Sequence, residues 1–164
     1  MTRSSLTIAA ALLTTPALAQ TGELTELTAP LAGHPAVRAF YDAFNAHDAG
    51  GLDRAVAEDW VSTPSREPGR EPFKRTIQDV FRTFPDLRFR IEDVVAEGDR
   101  VAVRTTGTGT QAGEFVGVPA TNQPVTFQTI DIHRVEGDRI VQTWHVEDWL
   151  SVLSQLGALP LNRS

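Results

Sequence analysis

At Leu87 the hydrophobic pattern of this chain changes from a helical period to a strand period. Before that point Phe73, Ile77, Val80, Phe81 and Phe84 recur at the spacing of one helical face, and Pro85 stops the helix. After it, Leu87, Phe89 and Ile91 alternate with Arg88, Arg90 and Glu92, the two-residue period of a strand. Gly98-Asp99 turns the chain into Val101, Val103 and Thr105, which read as an antiparallel neighbour. Val125 to Val135 and Arg139 to Val146 follow, joined by the hairpin Glu136-Gly137-Asp138. Helices first and a curved antiparallel sheet afterwards make an α+β layer arrangement, in which the helices can cover only one sheet face.

The helical half begins at Pro35, a residue suited to the first helical position, and Val37, Phe40, Tyr41 and Phe44 share one face up to Gly50-Gly51. A second short helix fits Leu52 to Glu58, followed by Asp59-Trp60-Val61. Thr63-Pro64-Ser65-Arg66-Glu67-Pro68-Gly69 reads as a loop, and a third helix starts near Pro72. Gly107 to Gln123 holds Gly107, Gly109, Gly113, Gly117 and Pro119, the composition of a bulge, an irregular edge or a loop over a pocket mouth. A final helix takes Trp149, Leu150, Val152, Leu153 and Leu156 before Gly157 ends it.

The 164 residues suffice for one domain with a proper core, and 41% hydrophobic and 22% charged residues exclude disorder and a membrane bundle. A net charge of −6 with Lys74 as the single lysine argues against nucleic acid as a partner, because phosphate contacts need clustered cations. The first residues stand apart: Thr2-Arg3 is a basic start, Leu6 to Leu13 is apolar, and Ala17-Leu18-Ala19 before Gln20 fits a secretory cleavage site. We therefore expect a signal peptide over 1–19, a flexible lead-in over 20–34 and one domain over 35–164. The expected location is periplasmic or secreted, with no membrane insertion after signal removal. Absence of cysteine excludes a lipid-anchored Cys, disulfides and thiol chemistry.

Several short pieces occur in a telling order between Pro35 and Leu159. They are Pro85-Asp86-Leu87, Glu97-Gly98-Asp99-Arg100-Val101, Gly107 to Phe115, Gly117-Val118-Pro119-Ala120-Thr121, Trp144-His145-Val146-Glu147-Asp148 and Gln155-Leu156-Gly157. In that order they resemble the SnoaL-like polyketide cyclases, small members of the NTF2-like superfamily. The resemblance implies a cone-shaped α+β barrel with N-terminal helices packed on a curved antiparallel sheet, a C-terminal helix, an interior pocket and a homodimer through the sheet. It also implies intramolecular aldol ring closure of a polyketide-like ester, catalysed by an aspartate that Asp148 matches. The family commonly has histidines where this chain has Gln111 and Ser62-Thr63; glutamine can bind a carbonyl but cannot take a proton.

The residues themselves also nominate Asp148. It ends the last strand among Trp144, Val146 and Trp149, where a carboxylate would lose water and gain proton affinity; the alternative is a helix N-cap. His145, three residues earlier, could relay a proton to it or be structural, and Glu147 is expected to face the other side, solvated. Asp131 and His133 share one face of their strand while Ile130 and Ile132 share the other. If the titratable face points inward, Asp131 is a rival base; if outward, both merely solubilise the sheet. Gln111, Trp144, Trp60, Asn45, Tyr41, Asp131 and Phe115 are the expected substrate contacts, against ordinary core packing for the aromatic ones. His34, His47, His133 and His145 are too scattered for a metal motif, and no phosphate loop or dinucleotide fingerprint occurs, so a cofactor-free site is expected. Two functions follow: a cyclase or isomerase acting on an apolar carbonyl compound, or a non-catalytic module that binds a hydrophobic small molecule or a protein partner.

Overall fold

The computed structural model describes residues 29–65 and 67–159. Val37, Phe40, Tyr41 and Phe44 form one buried stripe of helix α1 (Pro35–Asn45), which Pro35 opens at a position where a missing N–H costs nothing. A 3₁₀ turn (Ala49–Arg54) leads into strand β1 (Val56–Thr63), and helix α2 (Arg70–Thr83) follows. Strands β2 (Arg88–Glu97), β3 (Arg100–Thr110), β4 (Pro124–Glu136) and β5 (Arg139–Glu147) come next, and helix α3 (Trp149–Gln155) closes the described chain. The order is that of an α+β domain. Among the described residues no helix is long and apolar enough to cross a membrane.

Two boundaries differ from the sequence reading. The helix expected over 52–58 is the end of a 3₁₀ turn and the start of β1. Its register against β5 is interrupted between Val56 and Val61, and Glu58 is exposed between the buried Val56 and Trp60, so the burial repeats every four residues as in a helix. The lead-in is also shorter than expected, because Ala29–Gly33 form a 3₁₀ turn that seats Leu31 in the core at 1% exposure. The signal peptide expected over 1–19 lies outside the described residues.

The sheet runs β1-β5-β4-β3-β2, with β1 parallel to β5 and every other pair antiparallel. Gly98 and Gly137, both at φ +59, make the two-residue hairpin turns β2–β3 and β4–β5. Register breaks at Val56/Val61, Ile91/Asp93 and Arg134/Val135 allow the sheet to curl around its inner face. Gly107 has its own role: the ring of Phe127 on β4 covers it, and a Cβ there would lie 2.5 Å from that ring.

Apolar side chains fill the curl at both ends. At one end α1 packs Val37, Phe40 and Phe44 against Trp60, Ile77, Val101, Val103 and Ile140. At the other, Val152 and Leu156 of α3 pack on Phe84, Leu87, Val125 and Phe127. Between the two clusters the interior is hollow, with a cavity of about 290 Å³. A cone of helices and curved sheet around a cavity is the architecture expected above.

Candidate active site

The cavity is walled by aromatic and aliphatic groups, among them Phe40, Phe44, Phe73, Ile77 and Phe127, and its polar groups come mainly from strands β4 and β5. On β4, side chains of Val125, Phe127, Thr129, Asp131 and His133 alternate onto the inner face, while Ile130 and Ile132 are exposed at 48% and 38%. On β5, Thr143, His145 and Glu147 keep the same two-residue phase, and all three line the cavity. The strands pair His133 with Thr143, Asp131 with His145 and Thr129 with Glu147, so three cross-strand rungs form one polar ladder.

Hydrogen bonds run the length of that ladder. His145 Nδ1 lies 2.8 Å from Asp131 Oδ1, and His145 Nε2 lies 3.3 Å from Glu147 Oε2. Tyr41 of α1 donates its hydroxyl to Asp131 Oδ2 at 2.7 Å and meets His133 Nε2 at 3.2 Å. His133 Nδ1 lies 2.9 Å from Thr143 Oγ1, which accepts from Trp60 Nε1 at 3.1 Å. A further rung joins Thr129 to Thr105 of β3 at 2.7 Å. Asp131 and His133 are 4% and 0% exposed, whereas 32% of the His145 side chain remains accessible.

Burial and pairing set the charges. Burial holds His133 down to about 4 despite the neighbouring Asp131 carboxylate, so this ring is neutral near pH 7. Burial also opposes charge on His145, but the bonds and charges of Asp131 and Glu147 outweigh it and push the imidazole up to about 10. Asp131 is likewise penalised by burial, yet the bond from His145, the imidazole charges and the Tyr41 hydroxyl hold its carboxyl below the usual carboxylate range. Tyr41 is raised well above an ordinary phenol by burial first and by Asp131 second.

The residues singled out from sequence divide between this site and the scaffold. Tyr41, Trp60, Asp131, Phe115 and His145 line the cavity. Phe115 stacks on Trp149 with ring centres 4.6 Å apart and planes 2° from parallel. Asp148 does not lie in a dry pocket: it is exposed, and it caps α3 by accepting from the Ser151 hydroxyl at 2.5 Å and the Ser151 amide at 3.0 Å. Those two bonds, the hydroxyl first, lower its pKa, the opposite of the rise expected from desolvation. The strand's alternation runs two residues past His145 and directs Glu147, rather than Asp148, into the cavity.

Three other expected contacts are structural. Gln111 is fully buried, but its amide nitrogen donates to the carbonyls of Gly113, Val118 and Pro119 and its oxygen accepts from the Thr121 amide and hydroxyl. It pins the loop after β3 instead of facing the cavity. Asn45 ties α1 to β2 through both backbone groups of Phe89, at 2.9 and 2.7 Å. Trp144 is on the outer face beneath the Arg100 guanidinium, 4.9 Å from its ring centre.

Glu147 and His133 are the groups that sequence reasoning undervalued. The expectation that Glu147 faces the other side fails because β5 stays extended as far as Glu147, which keeps it in phase with Thr143 and His145. The outward placement of Asp131 and His133 fails for a related reason: their phase is that of Val125 and Phe127, which face the core. Among the described residues no group of three or more His, Asp or Glu is arranged to hold a metal ion.

An apolar cavity with a partly buried carboxylate–imidazole–carboxylate cluster at its polar end, inside a cone of this topology, defines an α+β pocket protein. The chain belongs to the SnoaL-like polyketide cyclase family, whose model matches residues 34–156. Among solved structures it is similar to TsrD from Streptomyces laurentii, with 31% identity, 78% of this chain and 96% of that chain covered, and a TM-score of 0.73. It is similar to AclR from Streptomyces galilaeus, a proposed hydroxylase, at 30% identity, with coverages of 79% and 84% and a TM-score of 0.71. IdmH from Streptomyces antibioticus, a proposed polyketide cyclase, matches at 32% identity, with coverages of 75% and 96% and a TM-score of 0.66. No curated protein matches this chain.

Proposed function

We propose that this protein is a cofactor-independent cyclase or isomerase that acts on an apolar, polyketide-like carbonyl compound by acid/base chemistry at Asp131, His145 and Glu147. The observation that carries this reading is the ion cluster itself, held at one end of a cavity whose remaining wall is almost wholly apolar. Apolar walls take up a hydrophobic skeleton and leave its carbonyl to the polar end, where a proton can leave the adjacent carbon and the resulting enolate can be stabilised. Addition of that carbanion to a second carbonyl closes a ring; return of the proton at another carbon shifts a double bond. Membership of a cyclase family and likeness to IdmH support the same class.

The test is exchange of α-protons into D₂O, followed by NMR, for a panel of bicyclic aryl ketones and β-keto esters that includes 2-tetralone. Accelerated exchange that His145→Gln abolishes is the expected result. Binding of the panel without acceleration of any member would overturn the enzyme reading and leave a binding module.

Two further readings accompany this one. The exposed apolar residues Ile130, Ile132 and Val146 on the outer sheet face support a homodimer through that face, and light scattering of an Ile132→Glu variant should report a monomer. The basic, apolar and small-residue pattern of residues 1–19 supports export, which the N-terminus of the mature chain, read by mass spectrometry, would test.

A further inference from the structure

With Asp131 ionised and His133 neutral, the hydrogen bonds from Trp60 to Asp131 admit one arrangement of hydrogens. Indole nitrogen only donates, so Thr143 accepts from Trp60 and has its own hydrogen to give. An ionised carboxylate only accepts, so the Tyr41 hydrogen goes to Asp131. Tyr41 then has nothing left to donate to His133, and the 3.2 Å contact requires a hydrogen on His133 Nε2. His133 is fully buried and neutral, which leaves Nδ1 bare to accept from Thr143. The chain Trp60, Thr143, His133, Tyr41, Asp131 therefore donates in one direction, every link satisfied, and ends on Asp131.

His145 approaches Asp131 from the other side. Its Nδ1 must carry a hydrogen, because Asp131 Oδ1 can only accept. Its Nε2 faces a second carboxylate, Glu147, so a bare nitrogen there would set two acceptors against each other. The titratable groups that face the ring are Asp131 and His133 on β4, Glu147 on β5 and Tyr41 on α1. Two of them are carboxylates and the others are neutral, so a ring protonated at both nitrogens satisfies both contacts.

We propose that the usual division of labour between a carboxylate and a histidine is reversed here: His145 is the cationic donor to the substrate oxygen, Glu147 is the base, and Asp131 positions His145. This rests on the reading of the cavity as a proton-transfer site. An imidazole that already holds both hydrogens cannot take another. Asp131, with 5% of its side chain exposed and each oxygen engaged, is poorly placed to reach a carbon acid, whereas Glu147 lines the cavity at its polar end. In the step, the substrate carbonyl replaces Glu147 as acceptor from Nε2. Glu147 removes the α-proton, the C–H electron pair becomes the new C=C bond, and the carbonyl π pair moves onto oxygen, where His145 stabilises it. Glu147 then returns its proton to carbon, or the carbanion attacks a second carbonyl whose oxygen takes a proton from His145 Nε2, after which Glu147 passes its proton back to Nε2. Tyr41, His133, Thr143 and Trp60 are positioning residues that keep Asp131 charged and aimed.

The experiment is imidazole ¹H–¹⁵N NMR on the full chain between about pH 5 and 9, with His133→Gln and His145→Gln used to assign the rings. We expect His145 to carry two hydrogens through pH 8 and His133 to carry one, on Nε2. Asp131→Asn should lower the pH at which His145 loses its second hydrogen by at least about one unit, a change that a purely structural role would not produce. Glu147→Gln should slow α-proton exchange at least about a hundredfold while His145 stays doubly protonated. A single hydrogen on His145 at pH 7, a hydrogen on His133 Nδ1, or exchange by Glu147→Gln within a few-fold of wild type would overturn the assignment while leaving proton transfer in place. Failure of the wild type to exchange any of the panel would instead remove the proton-transfer reading, and this assignment with it.

Discussion

In the middle of strands β4 and β5 the side chains turned towards the helices are Thr129, Asp131, His133, Thr143, His145 and Glu147, whereas those turned away include Ile130, Ile132, Trp144 and Val146. An antiparallel sheet with one solvated face ordinarily buries its apolar residues and exposes its polar ones. Here the stretch of β4 and β5 beside the cavity does the reverse. Buried polar groups are tolerable only when their hydrogens and lone pairs are matched, and the ladder from Trp60 to Glu147 matches them. Among the described residues, Ile130, Ile132 and Val146 stay exposed on the outer face. The difference separates two surfaces: the inner face holds matched charges beside the cavity, and the outer face leaves apolar groups exposed.

The strongest way to break this contrast is to remove the anion on which both halves of the ladder converge. Asp131→Ala should cost about 3–5 kcal/mol in urea unfolding, because His145 and Tyr41 lose their buried acceptor. A cost below about 1 kcal/mol would mean that the ladder is not a structural unit.

Next in size is a pH effect with two limbs. Folded His133 takes a proton only near pH 4, and the unfolded chain takes one near 6.5, so stability falls as the pH drops through that window. Integrated over the window this is on the order of 3 kcal/mol. Folded His145 keeps its proton up to about 10, so its contribution is complete below 6.5 and is lost as the pH rises towards 10. Unfolding measured across pH should show His133→Gln flattening the acid limb and His145→Gln flattening the alkaline limb, with a further change at low pH because Asp131 loses the bond that lowers its pKa.

Tyr41→Phe removes a single hydroxyl and should cost about 1–3 kcal/mol, since it strands His133 Nε2–H and one oxygen of Asp131. Asp148→Ala should cost about 1 kcal/mol as a lost helix cap and leave α-proton exchange unchanged. The smallest effect belongs to the outer face: Ile130→Thr should change monomer unfolding by less than about 0.5 kcal/mol while weakening the proposed dimer. Equal costs for Tyr41→Phe and Ile130→Thr would erase the distinction between the faces.

Much of the fold was legible because its signals are local. The period change at Leu87, the glycines at 98 and 137 and the Pro35 start all have short-range causes. Strand β1 was hidden because, across a register break, Glu58 is exposed between the buried Val56 and Trp60, so the burial repeats as in a helix. At the site, Tyr41, Trp60, Asp131, Phe115 and His145 could be nominated by residue type. Glu147 could have been found by carrying the β5 alternation two residues past His145. The roles of Gln111 and Asn45 could not, because a buried amide bonds either to a ligand or to backbone, and only the neighbouring chain decides which.

The amino-acid sequence alone determined the order of helices and strands, the hairpin turns and the stock of titratable groups, since these depend on spacing along a few residues. Which side of β4 and β5 faces the cavity was decided by the tertiary structure. Moving one residue along a strand exchanges inside for outside, so pairing and helix packing settled that Glu147 enters the cavity while Asp148 caps a helix in water.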